Sequence, residues 1–519
     1  MNYFHKIIST TITMCIMLAF LSLNSFGMSK GLGLYTIPKG AEKSNLFNTT
    51  VNGKEVFTEK FKDVNYVRFS HTKAVSILVK SAEDISSFRI SPQKDIISPK
   101  ANGKSLEFSI SKPGYYVVTI NNKEKLFVLS DTPDKDKLKK SDFIDVKSYN
   151  IDFTGTTIVT EKLQNAINDA ISKNKTLVFS AGIYRTGTLK IGSNARIYIA
   201  DGAMIKGSES RNDYPTDGGK KESDHINDKA NYTDNGETMT FSRLILIDNA
   251  ENVKIWGDGV IDGSGSIVRA QGKPANLIRI RNSKNIELKG LVLRDPACWN
   301  THILKSENVV IRNIKMLNDP NVPNTDGFDP DASKNVLIED CFAYCSDDNI
   351  AIKTTNNGGL LQDCENIKVN NCVFLTRKSS LKVGTETKGK SMRNIVFSNN
   401  YVVEADRGLA LYCYDGATFE NIQFINNYIE RNYPDSRRKA IHFEIKNRNG
   451  AGTIKNVLIK DCSIGEGFSK GSEMLGLDAN HTIDGVVFKN LKVDGELCLQ
   501  PEKLRLTTNK FVKNIRFEK

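Results

Sequence analysis

A chain of 519 residues is too long for one small hydrophobic core, so several domains or a repeat architecture are expected. Its 72 Lys and Arg against 60 Asp and Glu give a formal net charge of +12. The aromatic-plus-basic patches of nucleic-acid modules are absent, so the basic balance points to another acidic partner or to a solvated lysine-rich surface.

The N-terminus carries Lys6, an apolar stretch from Ile7 to Leu23 and a small-residue site at Ser25-Phe26-Gly27. That order reads as a secretory signal over residues 1–27, implying a secreted or periplasmic protein. No later apolar run approaches a membrane span, so none is expected after signal cleavage. Beyond Cys15 eight cysteines remain. Cys341, Cys372 and Cys462 recur at one point of a repeated motif, which suits small apolar groups stacked inside rather than disulfides. No C-x-x-C or His/Cys cluster marks zinc, and no cofactor is expected.

Residues 28–135 alternate apolar and polar, as in Tyr66-Val67-Arg68-Phe69-Ser70, between turns such as Asn52-Gly53 and Asn102-Gly103. This predicts a small antiparallel β-sandwich, expected to shield the adjoining end of the next domain or to help hold a ligand. A charged hinge, Asp131 to Lys137, closes it. The spacing of Leu163, Ala166, Ile167, Ala170 and Ile171 predicts a helix over residues 160–171, suited to capping an open sheet end.

From about residue 142 to 519 the chain repeats. Asparagine followed by a β-branched residue recurs at Asn252, Asn285, Asn308, Asn335, Asn366, Asn394, Asn421, Asn456 and Asn514, with Asp484 filling the widest gap. Steps of 23 (Asn285 to Asn308) to 35 residues (Asn421 to Asn456), without intervening helical patterns, predict an all-β fold. It is a right-handed single-stranded parallel β-helix, with the asparagines laddering between coils.

A β-helix is packed solid, so its chemistry must lie on an outer face. Asn324-Thr325-Asp326-Gly327 and Ser346-Asp347-Asp348 are about one coil apart, Asp326 and Asp347 being 21 residues from one another. Stacking would gather three carboxylates, a costly arrangement in which one is forced to keep its proton. A proton donor beside acceptors is the minimum equipment for glycosidic hydrolysis, with Asp347 as acid and Asp326 and Asp348 as bases.

The stretch from Thr156 to about Glu420 resembles glycoside hydrolase family 28, the polygalacturonase-like β-helix enzymes. The resemblance rests on Phe179 to Tyr184, Gly257 to Gly263, Trp299-Asn300-Thr301-His302, Asn324 to Gly327 and Asp347-Asp348. It implies inverting hydrolysis of a polysaccharide or its oligosaccharides, with the same roles for Asp326, Asp347 and Asp348. The sandwich ahead of the helix is similar to family 49, the dextranase group.

Two family motifs are missing. No histidine stands near Val383 to Thr387, where a Gly-His-Gly turn is expected, and Ala410 and Tyr412 occupy the places of the Arg-x-Lys pair that grips a galacturonate carboxylate. The cleaved sugar is therefore neutral, or other cations serve an anionic one. Candidates are Lys353, Lys382, Arg407 and the run Arg437-Arg438-Lys439. Asn324, His302, Glu386 and Tyr412 complete the expected substrate-binding set, with Trp299 and Tyr414 as stacking faces and His442 and Glu444 two coils away. The acidic cluster also admits a calcium-dependent polysaccharide lyase, or a non-catalytic carbohydrate-binding β-helix; the leading reading needs no metal.

Overall fold

A computed structural model describes residues 31–93, 96–133, 138–215, 233–234, 237–238, 242–272, 275–355, 362–433, 439–465, 468 and 470–519. The expected signal segment, Arg437 and Arg438, and most of the 208–242 insert lie outside them. Among the described residues no helix is long and apolar enough to cross a membrane.

Among the described residues from Phe143 to Glu518 the chain winds into coils that contribute strands in turn to three sheets of 13, 13 and 11 strands, parallel except for the antiparallel closing pair Lys492–Val493 and Glu496–Leu497. Each strand hydrogen-bonds to its counterpart on the next coil, about 4.8 Å away. The first sheet carries the asparagine repeat. Asn285, Asn308, Asn335 and Asn366 each donate a side-chain amide to the asparagine one coil before, at 3.0–3.1 Å. All four have φ between 54° and 58°, a left-handed conformation asparagine tolerates better than most residues. The ladder is exposed, so it staples a corner while the β-branched neighbours, Ile286, Val309, Val336 and Ile367, fill the interior. The helix over Thr160–Ser172 buries Leu163, Ala166, Ile167 and Ala170 against the first coils and caps that end. All eight cysteines among the described residues are buried and free.

Strands between Leu32 and Asp131 form sheets of seven and five strands enclosing a separate core that includes Val67, Phe69, Ile77, Phe108 and Val118. The expected position of this sandwich needs correcting. It does not close an end of the β-helix but lies along its flank. Strands Val64–His71, Gly114–Ile120 and Glu124–Asp131 are apolar on both faces. One face lines the sandwich core. The other, with Val64, Tyr66, Val117, Phe127 and Leu129, packs on Val260, Val292, Leu317, Phe342 and Val373 of the second 13-stranded sheet.

Buried charges pin this contact. The fully buried Lys315 Nζ lies 3.0 Å from both oxygens of Asp131, which also accepts from the hydroxyls of Tyr35 and Tyr115. Arg294 bridges Asp262 of the β-helix to Glu59 and Tyr66 of the sandwich. At the hairpin tip, Asp63 accepts from Asn321, on the loop leading into Asp326.

Candidate active site

The 11-stranded sheet presents its outer face as the candidate cleft, and its register assembles the carboxylates. Phe328 pairs with Ile350, and that pair sits two residues after Asp326 and Asp348 respectively. Asp326 therefore stacks on Asp348, 22 residues on, with Asp347 the residue before that partner. Asp347 stands one position further out, half-buried, while its neighbours are only 4% and 3% exposed. Each of the three offers an oxygen within 4.8 Å of the others.

The motif residues around them hold the backbone. Thr325 and Ser346 bond hydroxyl to hydroxyl at 2.7 Å across the two coils. Asn318 donates to the Thr325 carbonyl at 2.8 Å, and Asn349 donates to the carbonyls of Ala343 and Leu375. Gly327 is required by close approach, because a Cβ there would fall 2.3 Å from the Asn349 carbonyl oxygen. Asn324 is half-buried and accepts from Arg269 at 3.3 Å.

The cations expected to await substrate are instead bound to protein carboxylates. Lys353 Nζ lies 3.3 Å from Asp326, 3.3 Å from Asp329 and 3.5 Å from Glu386, and sits 3.6 Å above the Trp299 ring. Lys382 Nζ donates to Asp348 Oδ2 at 2.5 Å, while the Ser379 amide donates to Asp348 Oδ1 at 2.8 Å. Arg407 pairs with Asp406 at 2.7 Å and donates to Ser379. Two further expectations shift. His302 is buried edge-on to Trp299 with Nε2 2.9 Å from Asp331, which makes it an inner support. Tyr412 is buried too, its hydroxyl 2.7 Å from His442 Nδ1. Glu386 remains half-buried at the cleft, 3.8 Å from Arg448.

These contacts separate the carboxylates electrostatically. Burial, with the charges of Asp326 and Asp348, pushes Asp347 up to about 7. Burial also raises Asp326, against the pull of Lys353. Asp348 is buried as well, but the charges of Lys382 and Arg407 and the two hydrogen bonds hold it below the usual carboxylate range. Asp348 is thus the anion, and the Asp326–Asp347 pair retains a proton near neutrality. Sequence reasoning missed Asp329, which burial pushes up to about 7. Its signal is the alternation in Phe328-Asp329-Pro330-Asp331, which sets both acids on the outer face directly after the motif.

The model of glycosyl hydrolases family 28 matches residues 225–461, which include all three carboxylates. The β-helix thus resembles family 28, through a match to less than half of the chain. A probable polygalacturonase from Vitis vinifera is 29% identical over 215 residues, covering 38% of this chain and 42% of the relative. The chain spans only 40–56% of the length of the first curated relatives it matches. The exopolygalacturonase of Thermotoga maritima superposes with a TM-score of 0.56 at 20% identity, over 74% of this chain and 93% of that one. Dex49A from Penicillium minioluteum superposes with a TM-score of 0.57 at 10% identity, over 93% and 96%. Both likenesses are of fold. The second extends over most of the chain, whereas the family 28 match lies within the β-helix.

Proposed function

We propose that the protein is an inverting glycoside hydrolase that cleaves a pectin-like polysaccharide or its oligosaccharides outside the cytoplasm. The observation that carries this reading is the set of three carboxylates gathered on one outer face, with lysines clamped on two of them. Asp347, the most exposed, donates its proton to the glycosidic oxygen as the bond breaks. Asp348 and Asp326 lie together on neighbouring coils and orient a water, Asp348 accepting its proton. Lys353 at Asp326 and Lys382 at Asp348 keep both groups aimed and make them poor nucleophiles. That favours direct attack by water over a covalent glycosyl-enzyme. The 4.8 Å grouping is tighter than the ~6.5–9.5 Å usual between inverting carboxylates, so spacing does not carry the stereochemistry. It rests on the family resemblance and on these clamps.

The calcium-lyase alternative is disfavoured because ammonium groups already occupy oxygens of Asp326 and Asp348 that a cation would need. Reducing-end release over a panel of pectic glycans, followed against pH, tests the proposal. Activity should fall as pH rises through about 7, where Asp347 loses its proton. It should hold down to below the usual carboxylate range, because Asp348 must be ionised and its proton affinity is depressed. Products absorbing in the ultraviolet and abolished by chelator would instead show elimination. No release from any glycan would sink the hydrolase reading.

A further inference from the structure

Whether the sugar at the triad is uronic or neutral is left open by the sequence, since the pattern expected to hold a galacturonate is missing. We infer that the sugar bound against Asp326, Asp347 and Asp348 is uncharged, and that the site discriminates against a uronate there. This inference rests on the hydrolase reading.

The argument is one of charge pairing. A substrate carboxylate buried in a cleft needs a cation with bonding capacity to spare, best supplied as a charge-assisted hydrogen bond. Lys353, Lys382 and Arg407 face the triad from successive strands of the 11-stranded sheet. All three are buried, at 4%, 6% and 6% exposure. Each is bound by protein: Lys353 by Asp326, Asp329 and Glu386, Lys382 by Asp348, and Arg407 by Asp406. Six carboxylates, counting Asp347, thus share three cations.

A uronate at Lys382 would have to share that ammonium with Asp348, the proposed base, and one at Lys353 would compete with Asp326, Asp329 and Glu386. Either contact would weaken a clamp on the catalytic carboxylates. Arg448, further along the cleft, is likewise committed to Asp415 at 2.6 and 2.8 Å and lies beside Glu386.

The strand after Lys382 supplies no replacement. Register sets Ala410 beside Lys382 and His442 beside Ala410, so the next two positions on that outer file are a methyl and an imidazole. Tyr412 presents its ring at 5.6 Å to Lys382 and stacks on the half-buried Tyr414, with centroids 5.4 Å apart. Trp299 and Tyr412 are themselves buried, so the half-buried Tyr414 is the ring this lining offers to the face of a neutral sugar. An added carboxylate would meet the half-exposed Asp347 and Glu386 first.

The discriminating experiment uses polygalacturonate and the same polymer after chemical reduction of its carboxyl groups to primary alcohols, with native pectin alongside. Binding is measured by calorimetry on the full-length Asp347→Asn variant, and reducing-end release on the wild type. The expected result is binding of the carboxyl-reduced polymer at least about 10-fold tighter than polygalacturonate, the factor one misplaced charge carries. Release from polygalacturonate should be about 100-fold or more below that from pectin. Tighter binding of polygalacturonate, or its hydrolysis at the pectin rate, overturns the inference and leaves the hydrolase reading intact. Absence of both binding and release on every polymer overturns the hydrolase reading, and this inference with it.

Discussion

Replacing Asp347 by asparagine is expected to lower kcat by about 10²–10⁴-fold, the range lost with a general acid. The melting temperature should stay level or rise. Asp347 is pushed up to about 7 by burial and by its two carboxylate neighbours, so a neutral isostere relieves crowding that the fold tolerates for chemistry. The defect should depend on the leaving group. An aryl glycoside with an acidic phenol needs little protonation and should lose far less than the natural glycoside. Asp348→Asn should lose activity on both, because it removes the acceptor for the water proton. Equal losses on both substrates for Asp347→Asn would mean that it is not the acid.

The second large effect concerns stability. Lys315→Ala is expected to destabilise the protein by about 3–5 kcal/mol, the cost of stranding one partner of a buried pair. Asp131 would be left at the domain junction with the hydroxyls of Tyr35 and Tyr115 and the nearby charge of Arg68. Burial already works against the Lys315 charge and lowers its proton affinity. Removing both charges, as Lys315→Met with Asp131→Asn, should recover much of the loss, because neither variant side chain needs a counter-ion. Guanidinium midpoints compare the three proteins. A loss below about 1 kcal/mol for Lys315→Ala, typical of an exposed pair, would mean that the junction admits water.

The β-helix was legible because its physics repeats. Each coil needs an inward β-branched residue after a corner that tolerates positive φ, so asparagine and valine or isoleucine recur at one spacing. The capping helix was legible for the same reason, through its apolar face. The sandwich was readable as a unit, whereas its docking was not read. Runs such as Tyr115-Tyr116-Val117-Val118 and Leu126 to Leu129 mark strands buried on both faces, but an alternation template sees only one.

In the site, the identity of the carboxylates was written in two motifs, yet which of the paired aspartates lies in register with Asp326 was not. Thr325 and Ser346 bond to each other across the two coils, a contact that residue counting does not reveal. The partners of the lysines were illegible for a related reason. Lys382 meets an aspartate 34 residues earlier, and Lys353 one 27 residues earlier. A sequence displays the cation but not the acid that a neighbouring coil brings beneath it. The same distance hid the support of His302 by Asp331, 29 residues on.

The configuration of the first-formed product tests the central claim most directly. Proton NMR of the anomeric signal, recorded within the first turnovers before mutarotation, separates the two outcomes. Attack by a water held between Asp326 and Asp348, with Asp347 protonating the leaving oxygen, predicts a product of inverted configuration. A retained configuration would require one of the clamped aspartates to act as a nucleophile and would contradict the account.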